Sequence, residues 1–268
     1  MDGALWYAVS VSNSPIENPP SSTGVRQRAW FRHAYGRLFA EALRSELARI
    51  LPNLFGYHLL QLGMYDGESL STTSRIQHNV VIASRRDATA SNCSLLAEFA
   101  ALPIATDTVD VVLLPLVLEF HERPHDVLRE IERVLVPEGH VVIVLFNPLS
   151  LWGLARFWLK GRRRAPWEGR FFTTTRIKDW LALLGFDIVV TRSFFYRPPL
   201  RHEASLQQLQ FLERIGARWW PILGAATVLV GRKRVATLTP IKPRWRPRRS
   251  VLAAGLAEPT QRGYRRER

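Results

Sequence analysis

Residues 98–146 read EFAALPIATDTVDVVLLPLVLEFHERPHDVLREIERVLVPEGHVVIVLF, and three unlike patterns follow one another in them. Val109–Leu116 is an unbroken apolar run dense in Val and Leu, as a strand buried on both faces requires. Pro124–Leu135 puts Val127, Leu128, Ile131, Val134 and Leu135 on one side and its charges on the other, the pattern of an amphipathic helix. His140–Phe146 is apolar and β-branched again. Strand, helix and strand at this spacing imply parallel strands joined by a crossover helix.

The same alternation extends in both directions. Upstream, Tyr57–Leu62, Asn79–Ala83 and a weaker Leu95–Phe99 read as strands. Before them Trp30, Leu38, Leu43, Leu47 and Ile50 fall at near-helical spacing within Gln27–Leu51, a helix that Pro52-Asn53 stops. Downstream, Thr173–Leu184 reads as a helix ended by Gly185. Phe186–Phe195 and Pro221–Val230 read as strands around a helix near Leu206–Ile215. The fold class is therefore α/β: a doubly wound, mostly parallel, seven-stranded Rossmann-like sheet with a helix before it. Residues 1–25 read as a leader without periodicity. Residues 26–231 form the domain, with a core at 57–147 and an insert or lid at 148–170, and 232–268 form an Arg/Pro-rich tail expected to be disordered.

Composition narrows the class further. At 268 residues and 47% apolar, the chain is long enough for one large core. Its single cysteine, Cys93, excludes an internal disulfide framework and a Cys-rich zinc cluster, and reads as inert core filling. The first residues lack the pattern of a secretory signal, and no apolar run approaches the ~20 residues that span a bilayer, so a cytoplasmic protein is expected. Of the net charge of +14, ten come from Arg232–Arg268, where twelve basic residues face only Glu258 and Glu267. Such a tail is either a solvated, compositionally biased end or an arm that grips an anionic partner through phosphate contacts.

Ligands in open α/β sheets sit beyond the carboxyl ends of the strands, where the winding reverses. The loop after the first strand reads Gln61-Leu62-Gly63-Met64-Tyr65-Asp66-Gly67-Glu68. Its glycines permit either a backbone that approaches a ligand or an ordinary strand-to-helix turn. His121 lies just past the fourth strand, as a general base or as helix-entry surface. His121 and His125, with Glu119, Glu122 and Asp126, make a metal site conceivable, but Pro124 spoils a shared helical face and no metal is expected. Asp110 is expected to hold a loop or cap backbone groups. Leu149–Trp167, with Trp152, Phe157, Trp158, Trp167, Lys160 and Arg162–Arg164, reads as a lid, a membrane-surface helix, or aromatics packed beneath a loop. Trp219-Trp220-Pro221 is expected in the core.

Three segments carry a resemblance: Glu98–Pro103, Thr106–Val112 and Leu128–His140. In that order and at that spacing they resemble the type 11 branch of class I methyltransferases that use S-adenosylmethionine (SAM). Phe146–Gly153, Asp179–Phe186 and Arg218–Ala225 extend the resemblance to a bacterial subgroup, over roughly Trp30 to Trp245. It implies SAM as cofactor, held by Gln61, Gly63, Tyr65, Gly67, Ser84, Glu98, Phe99, Pro115 and Leu116. Glu98 would accept from the adenine amino group, and Pro115-Leu116 would lie beneath the methyl donor. The family carries an acid where Gln61 stands, a glycine where Tyr65 stands, and a ribose-binding acid where this chain has Ala83-Ser84-Arg85. Each lost hydrogen bond to a charged acceptor costs roughly 1.5–3 kcal/mol, about ten- to a hundred-fold in affinity. The expected function is methyl transfer to an unidentified acceptor (small molecule, RNA or protein), which needs little more than in-line positioning. The alternatives are a methyltransferase-fold binding or regulatory module without turnover, and a nucleic-acid adaptor acting through the tail.

Overall fold

The computed structural model describes residues 30, 31, 33–63, 69–84, 93–159, 169–198, 209 and 211–234. The leader, Tyr65, Gly67, Arg85 and the tail from residue 235 lie outside the described residues. Helix α1 (Ala34–Ile50) leads into a short 3-10 turn at Leu51–Asn53. Strands β1 (His58–Leu62), β2 (His78–Ser84), β3 (Leu95–Ala97) and β4 (Val109–Pro115) follow, then helix α2 (Pro124–Val134) and strand β5 (Leu135–Phe146). Helices α3 (Leu151–Leu159) and α4 (Thr174–Leu183), strand β6 (Phe186–Phe194), helix α5 (Phe211–Trp219) and strand β7 (Ala226–Lys233) complete the order.

The sheet has seven strands in the order β3-β2-β1-β4-β5-β7-β6. The first five run parallel, and β7 inserts antiparallel between β5 and β6. From β1 the chain winds outward through β2 to β3, then returns to β4 and winds the other way. The reversal falls between β1 and β4.

Alternation along the central strands builds two cores. Val111, Leu113, Val142 and Val144 face α1 and Trp152 on one side of the sheet. Val112, Leu114, Val141 and Ile143 face α2 and α4 on the other. Each fully buried Val, Leu or Phe contributes about 1.5–3 kcal/mol, so these layers hold the sheet flat against its helices. Trp30 makes edge-to-face ring contacts with Phe39, Phe146 and Trp152 at 5.5–5.9 Å centroid spacing, and Phe146 is tilted against Phe39 and stacked on Trp152.

The residues of the Leu128–Leu135 segment, the LREI-RVL pattern, work as a clamp. Glu130 accepts from Leu102 N at 2.6 Å, while Arg133 binds Glu130 and donates to the carbonyls of Leu102 and Ile104. This pins the turn before β4 onto α2. The Arg133 guanidinium also holds the Glu130 carboxyl below its ordinary pKa. Asp110 caps backbone groups: one carboxylate oxygen accepts from both Tyr57 N and His58 N at 2.9 Å.

Three sequence expectations need correction. Pro221–Leu223 is a 3-10 turn and the last strand starts at Ala226, because Asn147 Nδ2 captures the carbonyls of Ile222 and Gly224 and bends that stretch away from the sheet. Arg232 and Lys233 belong to β7 and not to a tail. Lys233 is buried, donating to Asp107, Glu132 O and Leu135 O. Trp219 and Trp220 are not core residues, being 72% and 57% exposed.

Candidate active site

At the reversal point β1 ends in Gln61-Leu62-Gly63. Gly63 has φ +84°, and a Cβ there would lie 2.9 Å from Val117 Cγ2. Only glycine leaves the strand in this conformation without strain. Gln61 is fully buried. Its Oε1 accepts from Leu70 N at 2.9 Å, and its Nε2 donates to Gly63 O at 3.1 Å. The carboxamide thus closes the two ends of the loop on each other. A carboxylate has no proton to donate to Gly63 O, which gives the glutamine a reason to stand where the family has an acid.

Ser84 ends β2, half-buried and paired in register with Ala97 of β3. Glu98 follows β3 directly, with its side chain 52% exposed and Oε1 4.0 Å from His121 Nε2. Phe99 is buried, its ring 6.5 Å from the imidazole. His121 Nδ1 accepts from Arg123 N at 3.1 Å, so the proton of the neutral ring sits on Nε2 and faces Glu98. His125 packs against Trp180 instead, 3.9 Å between ring centroids. Among the described residues no group of three His, Cys, Asp or Glu side chains is arranged to hold a metal ion. Pro115 closes β4, and Leu116 takes φ +55° while its N–H still donates to Val144 O.

One residue, Glu119, was named from sequence only as a neighbour of a conceivable metal site, and its burial was not foreseen. Glu119 interrupts the apolar run that ends β4 and is buried completely. Its Oε1 accepts from Phe146 N at 2.7 Å, a backbone donor that β4 no longer reaches. Its Oε2 has no partner among the described residues. Burial pushes the carboxyl up to about 8, outweighing the lowering effect of its backbone hydrogen bonds, so it is neutral at physiological pH. The available signal was an acid placed inside LLPLVLEF, where a charge has no business unless it is neutralised or paired.

A family model described as a methyltransferase domain matches residues 60–143, which run from β1 through most of β5. The chain is 32% identical over 217 residues to the uncharacterized protein YafS of Escherichia coli, covering 81% of this chain and 85% of that one. The chain belongs to the class I SAM-dependent methyltransferases, type 11. Solved structures share the fold. A SAM-dependent methyltransferase of Thermotoga maritima, a possible histamine N-methyltransferase, superposes with a TM-score of 0.57 at 18% identity, over 78% of this chain and 99% of that one. A SAM-dependent methyltransferase of Archaeoglobus fulgidus gives 0.50 at 18% identity, over 71% and 93%.

The cofactor of this methyltransferase family is SAM. The residues present fit it. Gly63 gives a side-chain-free exit from β1, Glu98 offers an exposed carboxylate at the end of β3, and Phe99 supplies an apolar wall beside it. Leu116 turns the chain away at the end of β4.

Proposed function

We propose that this methyltransferase transfers the methyl group of SAM to an acceptor entering over the ends of β4 and β5. One observation carries the reading: Gly63, Ser84, Glu98 and Leu116 all lie at or just past the carboxyl ends of adjacent parallel strands around the winding reversal. When bound, the cofactor supplies an electrophilic methyl on a sulfonium. Glu98 accepts from its adenine amino group, and Phe99 walls the ring. Ser84 accepts from or donates to one ribose hydroxyl. Gln61 keeps the loop closed so that backbone N–H groups, not side chains, meet the methionine end. Pro115 and Leu116 shape the acceptor's approach. His121 stands beside Glu98, its Nε2 4.0 Å from the carboxylate and outside hydrogen-bond distance, while its other nitrogen accepts from Arg123 N.

Gln61 also favours a second reading, a SAM-binding or regulatory scaffold without turnover. Its carboxamide is spent within the loop and carries no charge toward a ligand ammonium.

Calorimetric titration with SAM and S-adenosylhomocysteine tests the proposal. The expected result is micromolar binding, weakened about ten- to a hundred-fold by Glu98→Ala. No heat at millimolar ligand would overturn the methyl-transfer reading and leave the fold as a scaffold without SAM. Binding with undiminished affinity in Glu98→Ala would remove Glu98 from the adenine site.

A further inference from the structure

The amino ends of β1 and β2 bring together two metal-ligating side chains, at the opposite end of the strands from the candidate active site. His58 and His78 open their strands and stand opposite each other in register. Residues opposed in this way on parallel neighbours project from the same face of the sheet. His78 is exposed and His58 half-buried. Their rings meet nearly at right angles, 4.9 Å between centroids, and their Nδ1 atoms face each other at 2.8 Å.

One Nδ1 carries a proton that it donates to the lone pair of the other. An imidazole can equally carry that proton on Nε2, and the pair then offers two Nδ1 lone pairs to a single ion. Imidazole nitrogen suits late first-row divalent metals, whereas Mg²⁺ and Ca²⁺ take oxygen ligands. The spacing narrows the choice. Two nitrogens about 2.0 Å from one ion are about 2.8 Å apart when they bind at a right angle, and about 3.3 Å apart in a tetrahedron. The observed 2.8 Å is the right-angle value, that of adjacent corners in the tetragonal geometry favoured by Cu²⁺ and Ni²⁺. The neighbouring carboxylate of Asp110 is spent on the N–H groups of Tyr57 and His58, so the ligand set is two imidazoles.

We propose that His58 and His78 form a surface site for one Cu²⁺ or Ni²⁺ ion, held by the two Nδ1 atoms and completed by water. The ion replaces the hydrogen bond, and the ring that donated it moves its proton to Nε2. Bound there, it fastens β1 to β2 in the register that pairs the two histidines, away from Gly63 and Ser84 at the far ends of the same strands. The site does not rest on the methyl-transfer reading.

The test is calorimetric titration of the full chain, free of any affinity tag, with NiCl₂, CuCl₂, ZnCl₂ and MgCl₂ at neutral pH. Nickel and copper should bind at one ion per chain, copper at least about tenfold more tightly than zinc, and magnesium should give no heat. Nickel affinity should fall at least about tenfold in His58→Asn and, separately, in His78→Asn, because one imidazole alone cannot chelate. A second measurement needs no variant: substoichiometric Cu²⁺ should broaden the imidazole proton signals of His58 and His78 ahead of those of the other histidines. Any of four results would overturn the proposal and leave the pair a plain hydrogen bond: no nickel binding, equal binding by the wild type and both variants, zinc bound more tightly than copper, or broadening that begins at other histidines.

Discussion

Replacing Glu119 by glutamine should remove a fall in stability that the wild type shows between pH 6 and pH 9. Burial holds the Glu119 carboxyl at about 8 in the fold, against an ordinary 4.5. Between those values the native state keeps a proton that the unfolded chain has released. Stability therefore falls as pH rises through this window and levels off above it. Each pH unit in the window is worth about a tenfold change in the folding equilibrium, so the wild type loses on the order of 3 kcal/mol between pH 6 and pH 8. Glutamine keeps the acceptor for Phe146 N but buries an amide N–H₂ without a partner among the described residues, which costs about 1–3 kcal/mol at any pH. The wild type has lost about 2 kcal/mol by pH 6 and more than about 4 kcal/mol by pH 9, so the variant should match it at pH 6 and exceed it at pH 9. Urea unfolding of both proteins from pH 5.5 to pH 9 reads the difference directly. Other shifted groups, such as His140 and Glu213, contribute alike to both proteins and cancel. Parallel stability curves would refute the reasoning and show that Glu119 is ionised in the fold.

Gly63→Ala combines a φ of +84° with a Cβ 2.9 Å from Val117 Cγ2, so a loss of about 1–2 kcal/mol in urea unfolding is expected, with SAM affinity falling at least about tenfold in calorimetry. Unchanged affinity would place the cofactor away from this loop. Asn147→Ala severs three hydrogen bonds that fasten the chain before β7 to the chain after β5, and should cost about 2–3 kcal/mol. Limited trypsin digestion should then cut faster at Arg218, and an unaltered digestion rate would argue against the fastening role.

The elements with strong periodicity were legible in the sequence. Val109–Pro115 and Pro124–Val134 sit within one residue of their expected limits, because a doubly buried strand and a one-faced helix leave distinct patterns. The Leu-Pro and LREI-RVL segments pointed to the family, and the Glu130–Arg133 clamp shows what they do physically. Pro221–Leu223 was misread because its composition suits a strand, while the side chain that bends it comes from Asn147, more than seventy positions away. The departure at Gln61 was visible, but not its bond to Leu70 N across the loop. Exposure of Trp219 and Trp220 could not be read from sequence, since a tryptophan pair looks the same whether or not anything covers it.

The late position of β7 has a consequence during synthesis. Strand β5 forms the middle of the sheet, yet the strand that covers its free edge starts 80 residues after it ends, at Ala226 against Phe146. At about 5–20 residues per second, a ribosome leaves that apolar edge open for roughly 4–16 s. Until Lys233 emerges and reaches the carbonyls of Glu132 and Leu135, the nascent sheet is a template for wrong pairing. A chain released before Ala226 would keep the switch-point strands but carry this open edge permanently, and is expected to aggregate.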